Sequence, residues 1–186
     1  MTTIYFVRHA EPNYRNHDDL SRELTAKGWA DRLQVSSFLS NRGIDLAFSS
    51  PYRRSIDTIS DFTEKHNLKI EMIADFRERT VGDHWLDDFD SYAHQQWSDF
   101  SYKLHNGESL SEVQRRNIAA LETLLCTYKD HTLLIGSHGT ALSTIINNYD
   151  PTFCYADFQR IKSVMPWIVK MDFDGLHFLQ WEEFMI

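Results

Sequence analysis

Residues 4–9 read IYFVRH, four consecutive apolar residues followed by an arginine and a histidine. An unbroken apolar run of this length is typical of a β-strand that is buried on both faces of a parallel sheet. Residues 132–138, TLLIGSH, repeat the pattern, and again the polar residues begin where a buried strand would reach the surface. The sequence therefore predicts two buried strands, each ending next to a histidine.

Helical segments lie between the predicted strands. One helix is expected after Thr25, with Trp29, Leu33 and Phe38-Leu39 at roughly helical spacing. Another is expected after Ser109 and Glu112, which form a capping-box pattern. Strands alternating with helices are characteristic of a layered α/β fold.

Shorter strands complete the predicted sheet. Residues 45–48 and 69–74 are expected to be strands, and residues 167–172 and 176–181 should form a hairpin around Asp174-Gly175. The predicted fold is therefore a three-layer α/β/α sandwich whose mixed sheet is mostly parallel with an antiparallel edge.

The length of 186 residues with 42% hydrophobic composition predicts a single domain spanning residues 1–186. Residues 75–107 show no clean period, so we interpret them as an insertion or lid over the sheet edge. Oligomeric state is left open by the sequence.

Composition excludes several classes of partner. The formal charge of −8, with no basic stripe, excludes a nucleic-acid or anionic-membrane partner, and no 18-residue apolar run predicts a membrane span. The N-terminus shows no basic region of a secretory signal, so a cytoplasmic protein is expected, with Cys126 and Cys154 as buried reduced thiols. No cofactor is expected. Histidines 17, 66, 84, 94, 105, 131 and 177 form no HxxxH pair, so no metal site is expected either.

The carboxyl ends of strands in such a sheet are where ligands bind. Arg8-His9 and Ser137-His138 both occupy that position, so the two histidines are expected to converge on one pocket. Helices that start behind them supply backbone N–H donors suited to an anion.

Six segments also resemble, in order, the motifs of the histidine phosphatase superfamily, which includes the cofactor-dependent phosphoglycerate mutases. They are residues 8–12 (its RHG motif), 24–28 (LTxxG), 49–58 (SSPLxRAxQT), 76–82 (LxExxxG), 107–109 (GES) and 137–139 (SHG). This resemblance implies that His9 is a nucleophile that forms a phosphohistidine, that Arg8, Arg54 and His138 bind the phosphoryl oxygens, and that Glu78 is the general acid and base.

Some positions depart from the family pattern or allow another interpretation. Ala10 replaces the glycine beside the nucleophile, and Asn13 and Arg15 are only weak candidates for substrate binding because the usual asparagine spacing is not kept. Glu78 lies between two arginines, so the alternative is an exposed charge cluster at residues 77–79.

The segment at residues 83–105 carries five aspartates and six aromatic residues but only one lysine. The aromatic residues either pack the segment onto the domain or, if they face the pocket, favour an organic monophosphate with an apolar, aromatic or cationic body. We therefore expect a phosphomonoesterase acting on a small phosphate ester. The alternatives are a mutase, which must bind a doubly phosphorylated substrate, and a catalytically weak binder of a phosphorylated partner.

Overall fold

The computed structural model describes residues 1–83 and 85–186. Its single sheet contains β1 (Thr2–Arg8), β2 (Leu46–Ser49), β3 (Ile70–Met72), β4 (Thr132–Ser137), β5 (Trp167–Asp174) and β6 (His177–Met185). The strand order is β3-β2-β4-β1-β5-β6. The first four strands in this order are parallel to one another. As predicted, the edge is antiparallel: β5 is antiparallel to β1, and β6 is antiparallel to β5.

Six α-helices cover the sheet in the described residues. They are α1 (Ala26–Leu39), α2 (Arg53–Lys65), α3 (Phe89–Ser98), α4 (Leu110–Thr127), α5 (Gly139–Tyr149) and α6 (Tyr155–Ile161), with a short 3-10 turn at Ala74–Phe76. The capping box predicted at Ser109 and Glu112 is present at the start of α4.

Side chains of β1 alternate between two hydrophobic cores, one on each face of the sheet. Ile4 and Phe6 belong to the core that includes α4, α5 and α6, whereas Tyr5 and Val7 belong to the core formed with α1 and α2. Helices therefore lie on both faces, which confirms the predicted α/β/α arrangement.

Helix α1 and its Thr25 cap are confirmed, but its predicted apolar face is only partly right. Leu39 is buried together with Val35, whereas Trp29 and Leu33 are exposed. Trp29 is accommodated at the surface because the guanidinium of Arg32 lies 4.1 Å from its ring centroid. Packing of α1 against α2 thus determines the buried face.

Residues 75–107 contain α3, which the sequence did not predict. Trp97 and Tyr92 are buried, and Trp97 packs against Phe153 and Phe158. These aromatic residues anchor the segment to the domain. Its action as a lid, and the single-domain organisation of residues 1–186, stay predictions.

Two other expectations concern the surface. Cys126 and Cys154 are free, as expected, but both are exposed rather than buried, because one lies on the outer face of α4 and the other at the start of α6. Among the helices of the described residues, none is both long and apolar enough to cross a membrane.

Candidate active site

The ends of β1 and β4 bring the two predicted histidines together. Arg8 pairs with Ser137 in the parallel ladder, and the backbone N–H of His9 donates to the carbonyl oxygen of Ser137 (3.1 Å). The imidazole rings of His9 and His138 consequently lie edge to face with 5.3 Å between their centroids.

His9 is buried and holds a defined tautomer. Its Nδ1 lies 2.8 Å from the carbonyl oxygen of Ala10. A carbonyl oxygen only accepts, so Nδ1 carries the proton and Nε2 carries the lone pair. Burial, together with the charges of Arg54 and Arg8, holds the pKa of His9 well below its usual value. The ring is therefore a neutral imidazole whose Nε2 is available for nucleophilic attack.

Ala10 fits its buried position without strain on the nucleophile. Its side chain is fully buried, and its backbone N–H donates to Oγ1 of Thr58 (2.9 Å). Thr58 in turn donates to the carbonyl oxygen of Arg54 (2.7 Å). These bonds connect the loop after β1 to the first turns of α2.

Arg8 is fixed by the carboxyl end of α6. Its Nη1 donates to the carbonyl oxygens of Ile161 (2.7 Å) and Val164 (3.1 Å), and its Nη2 donates to that of Lys162 (2.8 Å). Nε is buried and has no hydrogen-bond partner in the described part of the chain. Burial lowers the pKa of Arg8, so its charge is poorly solvated and suited to an anion in the adjoining cleft.

Arg54 approaches the cleft from the first turn of α2. Its Nη1 donates to the carbonyl oxygen of Asp19 (2.7 Å), and its Nη2 lies 3.2 Å from the Asp19 carboxylate. The guanidinium packs 4.9 Å from the centroid of the Tyr52 ring, and burial lowers the pKa of Arg54. Arg53 points away and pairs with Asp57, so the register of the motif places Arg54 at the site.

His138 lies behind His9 and is not among the residues that line the cleft. Its Nε2 is 2.6 Å from Oγ of Ser50, while its buried Nδ1 has no partner among the described residues. Burial and the charge of Arg54 hold the pKa of His138 well below its usual value. Ser50 thus orients His138, a role that sequence reasoning missed although the residue falls within the quoted motif at 49–58.

Glu78 lies at the N-terminus of α5. Its Oε1 accepts from the backbone N–H groups of Arg79 (2.8 Å) and Ala141 (3.1 Å), and its Oε2 accepts from that of Thr140 (2.9 Å). Helix N-termini favour negative charge. The carboxylate is therefore held in the cleft, and the alternative of an exposed cluster at residues 77–79 does not match the structure.

These groups open into a cleft of about 840 Å³. Its lining includes Arg8, His9, Arg54 and Glu78, and also residues that sequence reasoning missed: Tyr14, His17, Asp19, Arg22, Arg79, Phe158, Lys162, Ser163 and Met165. Residues 80–83, 85, 86, 89 and 90 contribute a further part of the wall. That contribution supports the interpretation of this segment as facing the pocket.

Asn13 and Arg15 do not line the cleft. The amide of Asn13 donates to the Glu23 carboxylate (2.6 Å), and Arg15 is exposed to solvent. The loop is folded by its own hydrogen bonds, so this arrangement gives no support to their prediction as substrate ligands.

The described residues contain no candidate metal site. Among residues 1–83 and 85–186, no group of three or more His, Cys, Asp or Glu side chains is placed to hold an ion. His84, one of the histidines considered above, lies outside the described residues. Metal independence therefore stays a prediction to be tested.

The arrangement suits transfer of a phosphoryl group. A neutral imidazole presents Nε2, two buried guanidinium groups stand beside it, and a carboxylate is fixed by three backbone donors. Guanidinium groups match the geometry and charge of phosphoryl oxygens. One cleft thus holds the three kinds of group that phosphoryl transfer requires: an unprotonated imidazole nitrogen, cations for the phosphoryl oxygens, and a carboxylate.

Comparison with known proteins points to the same chemistry. The chain is 25% identical over 150 residues to the uncharacterized phosphatase PhoE of Bacillus subtilis, covering 78% of this chain and 76% of the relative. It is 26% identical over 159 residues to the probable phosphoglycerate mutase GpmB of Shigella dysenteriae, covering 79% and 74%. The structure of YhfR from Bacillus stearothermophilus shares the fold, with a TM-score of 0.80 at 21% identity and coverage of 96% and 95%.

The family match extends over nearly the whole chain. The profile of the histidine phosphatase superfamily (branch 1) matches residues 4–178, a range that contains every cleft residue described above. The chain belongs to the histidine phosphatase superfamily, branch 1.

Proposed function

We propose that the protein is a phosphomonoesterase that hydrolyses a small organic phosphate ester through a phosphohistidine on His9. The observation that carries this proposal is the bond from Nδ1 of His9 to the Ala10 carbonyl oxygen, which leaves Nε2 unprotonated beside two buried arginines. A neutral imidazole is a suitable nucleophile towards a phosphate monoester dianion because it adds no negative charge.

The first half-reaction transfers the phosphoryl group to His9. Nε2 attacks phosphorus, the P–O bond to the alcohol breaks, and the leaving alkoxide takes a proton from Glu78. Glu78 must enter this step as the neutral acid, although three backbone N–H groups stabilise its carboxylate. Arg8 and Arg54, which line the cleft, stabilise the charge on the phosphoryl oxygens.

The second half-reaction regenerates the enzyme. Glu78, now a carboxylate, removes a proton from water while the water oxygen attacks phosphorus, and the P–N bond breaks. Inorganic phosphate leaves, neutral His9 is restored, and Glu78 is again protonated. The positioned carboxylate favours an enzyme over a mere phosphate binder, since a binder needs no proton carrier.

Mutase-type transfer is the alternative, because relatives include proteins named as probable phosphoglycerate mutases. Hydrolysis is favoured because the cleft cations Arg22 and Lys162 are paired with the carboxylates of Asp19 and Asp90, which a second anionic group on the substrate would have to displace. A cytoplasmic location is part of the proposal, since two free, exposed thiols are suited to a reducing compartment.

Rapid acid and alkaline quench with a radiolabelled phosphate ester tests the proposal. We expect a phosphoenzyme that is labile in acid and stable in alkali, formed by the wild type and absent from His9→Ala. Esters should be screened with and without bisphosphoglycerate, recording both free phosphate and isomerised product, in the presence of a chelator. Full turnover by His9→Ala, or isomerisation without phosphate release, would contradict the proposal.

A further inference from the structure

Exposed aromatic side chains are concentrated at the mouth of the cleft. Among the described residues, the Phe, Trp and Tyr side chains that are exposed are Tyr14 (47%), Trp29 (37%), Trp85 (50%) and Phe89 (37%). Three of these four line the cleft, and Trp29 alone lies elsewhere, on α1. Contiguous exposed apolar surface is characteristic of ligand-binding grooves.

These rings are held in a fixed arrangement. Trp85 stacks on His17 with 4.3 Å between centroids and 9° between planes, and it meets Tyr14 edge-on at 6.4 Å. The buried guanidinium of Arg22 lies 5.5 Å from the Trp85 ring and 5.8 Å from the Tyr14 ring. We call Tyr14, His17, Trp85 and Phe89 the aromatic rim. Its planar faces are positioned before any ligand arrives.

Cations near the rim are already paired with carboxylates. Arg22 lies 3.0 Å from the Asp19 carboxylate, and Lys162 lies 2.7 Å from that of Asp90. A second anionic group on the substrate would have to displace these partners. Three other cleft arginines have a buried Nε without a hydrogen-bond partner among the described residues: Arg8 and Arg54 beside His9, and Arg79 next to Phe89.

Arg79 differs from the other cleft cations. Its Nη1 donates to the neutral amide of Gln96 (2.5 Å), and its guanidinium packs 5.2 Å from the Phe89 ring and 5.0 Å from the Tyr92 ring. Two aromatic rings therefore stabilise this charge. Arg79 is nevertheless the cleft cation that a second anionic group on a substrate would contact.

We infer that the aromatic rim selects monophosphate esters of alcohols with a planar aromatic body, which stacks at the rim while the phosphate lies beside His9. This inference rests on the phosphatase function proposed above and adds the substrate class. It disfavours short alkyl phosphates, which do not reach the rim, and phosphorylated acids, whose second charge would have to displace the carboxylates that pair with Arg22 and Lys162.

Esters matched in their leaving alcohol provide the test. Phenethyl, cyclohexylethyl and ethyl phosphate release alcohols of similar acidity, so differences in kcat/KM report recognition of the body rather than leaving-group chemistry. We expect kcat/KM for phenethyl phosphate to be about tenfold higher than for either of the other two esters. Equal kcat/KM values for these three esters would overturn the inference. A higher kcat/KM for phosphoserine than for phenethyl phosphate would also overturn it and would indicate Arg79 as an anion site.

Variants connect the preference to the rim. Trp85→Leu and Phe89→Leu should lower kcat/KM for phenethyl phosphate about tenfold more than for ethyl phosphate, with little change in inhibition by inorganic phosphate, which occupies the inner end alone. Trp29→Leu removes another exposed tryptophan, which lies outside the cleft, and should leave kcat/KM for both substrates unchanged.

The outcomes separate the two proposals. If no ester is hydrolysed and no phosphoenzyme forms, the phosphatase function fails. If esters are hydrolysed through the phosphoenzyme but the rim variants alter all substrates equally, only the inference on the aromatic rim fails.

Discussion

One oxygen atom determines which ring nitrogen His9 presents, and another holds the ring of His138 in place. The Ala10 carbonyl holds the proton on Nδ1 of His9, and the Ser50 hydroxyl occupies Nε2 of His138. Nε2 of His9 is therefore the nitrogen left for chemistry, whereas His138 does not line the cleft. Neither oxygen is a catalytic group, yet each orients an imidazole that otherwise could rotate.

Glu78→Gln tests the proton carrier at the residue scale. Protonation of the leaving group matters most for a poor leaving group. The variant should therefore lower kcat/KM for ethyl phosphate by about 100-fold and kcat/KM for nitrophenyl phosphate by less than about 10-fold. The measurement is the ratio of the two kcat/KM values in wild type and variant.

Glu11→Gln is the matched control, because the Glu11 carboxylate accepts from Thr25 outside the cleft lining and should leave the ratio unchanged. The melting temperature of Glu78→Gln must be checked, since its amide nitrogen cannot accept from a backbone N–H as a carboxylate oxygen does. Equal slowing of both esters in a folded variant would move the proton carrier elsewhere, with Asp83 the nearest alternative in the cleft.

Among the elements, α5 is tied to the site by its first residue. A Cβ built on Gly139 would lie 2.9 Å from Cζ of Arg8 and 3.0 Å from its Nε. Arg8 cannot easily retreat, because three carbonyl oxygens at the carboxyl end of α6 hold its guanidinium. Absence of a side chain at position 139 thus allows the arginine and the helix to meet.

Gly139→Ala should therefore be harmful although alanine is the better helix former. We expect a loss of about 1–3 kcal/mol in the free energy of unfolding from overpacking, and weaker inhibition by inorganic phosphate because Arg8 is displaced. Urea unfolding and phosphate inhibition measure the two effects. Asn148→Ala, an exposed position near the end of the same helix, should not destabilise the protein. A Gly139→Ala variant with unchanged stability and phosphate affinity would show that Arg8 is mobile.

Elements that are marked by a pattern within a few residues were predictable from the sequence. Elements whose residues are fixed only by contacts with distant segments were not. The apolar runs of β1 and β4 and the capping box of α4 are read within a few residues. In contrast, α3 depends on Gln96, whose amide donates to the carbonyl oxygens of Tyr102 and Glu108, and on Trp97 packing against other elements. No periodic pattern within α3 reports those contacts.

The site divides in the same way. Arg8, His9, Arg54, Glu78 and His138 were identifiable because each stands in a motif. Buried arginines 22 and 79 were not, since arginine is ordinarily exposed and their burial depends on aromatic neighbours contributed by separate segments.

At the scale of the whole molecule, net charge and site charge have opposite signs. The chain carries a formal charge of −8, yet four buried arginines line one cleft: Arg8, Arg22, Arg54 and Arg79. The net charge argues against a nucleic-acid partner, but it does not indicate whether the protein binds a small phosphate ester. A concentration of buried positive charge also has a consequence for stability, because it suppresses protonation of the histidines beside it.

The free energy of unfolding should fall as the pH is lowered from about 7 to about 5.5. Burial and neighbouring arginines hold the pKa values of His9 and His138 well below the usual 6.5. Above pH 6.5 both histidines are neutral in the folded and unfolded states, so they add no pH dependence. Below it the unfolded chain binds two protons that the folded chain excludes, which favours unfolding by up to about 1.4 kcal/mol per pH unit for each histidine.

Urea unfolding across this interval, in buffers free of phosphate, measures the effect. Phosphate must be absent because a bound anion would favour the charged imidazole and mask the loss. The double variant His9→Gln, His138→Gln should show a clearly shallower dependence, since neither glutamine titrates, while carboxylates are little affected in this range. If wild type and double variant lose stability in parallel, other groups are responsible, and the histidines are not held neutral by the fold.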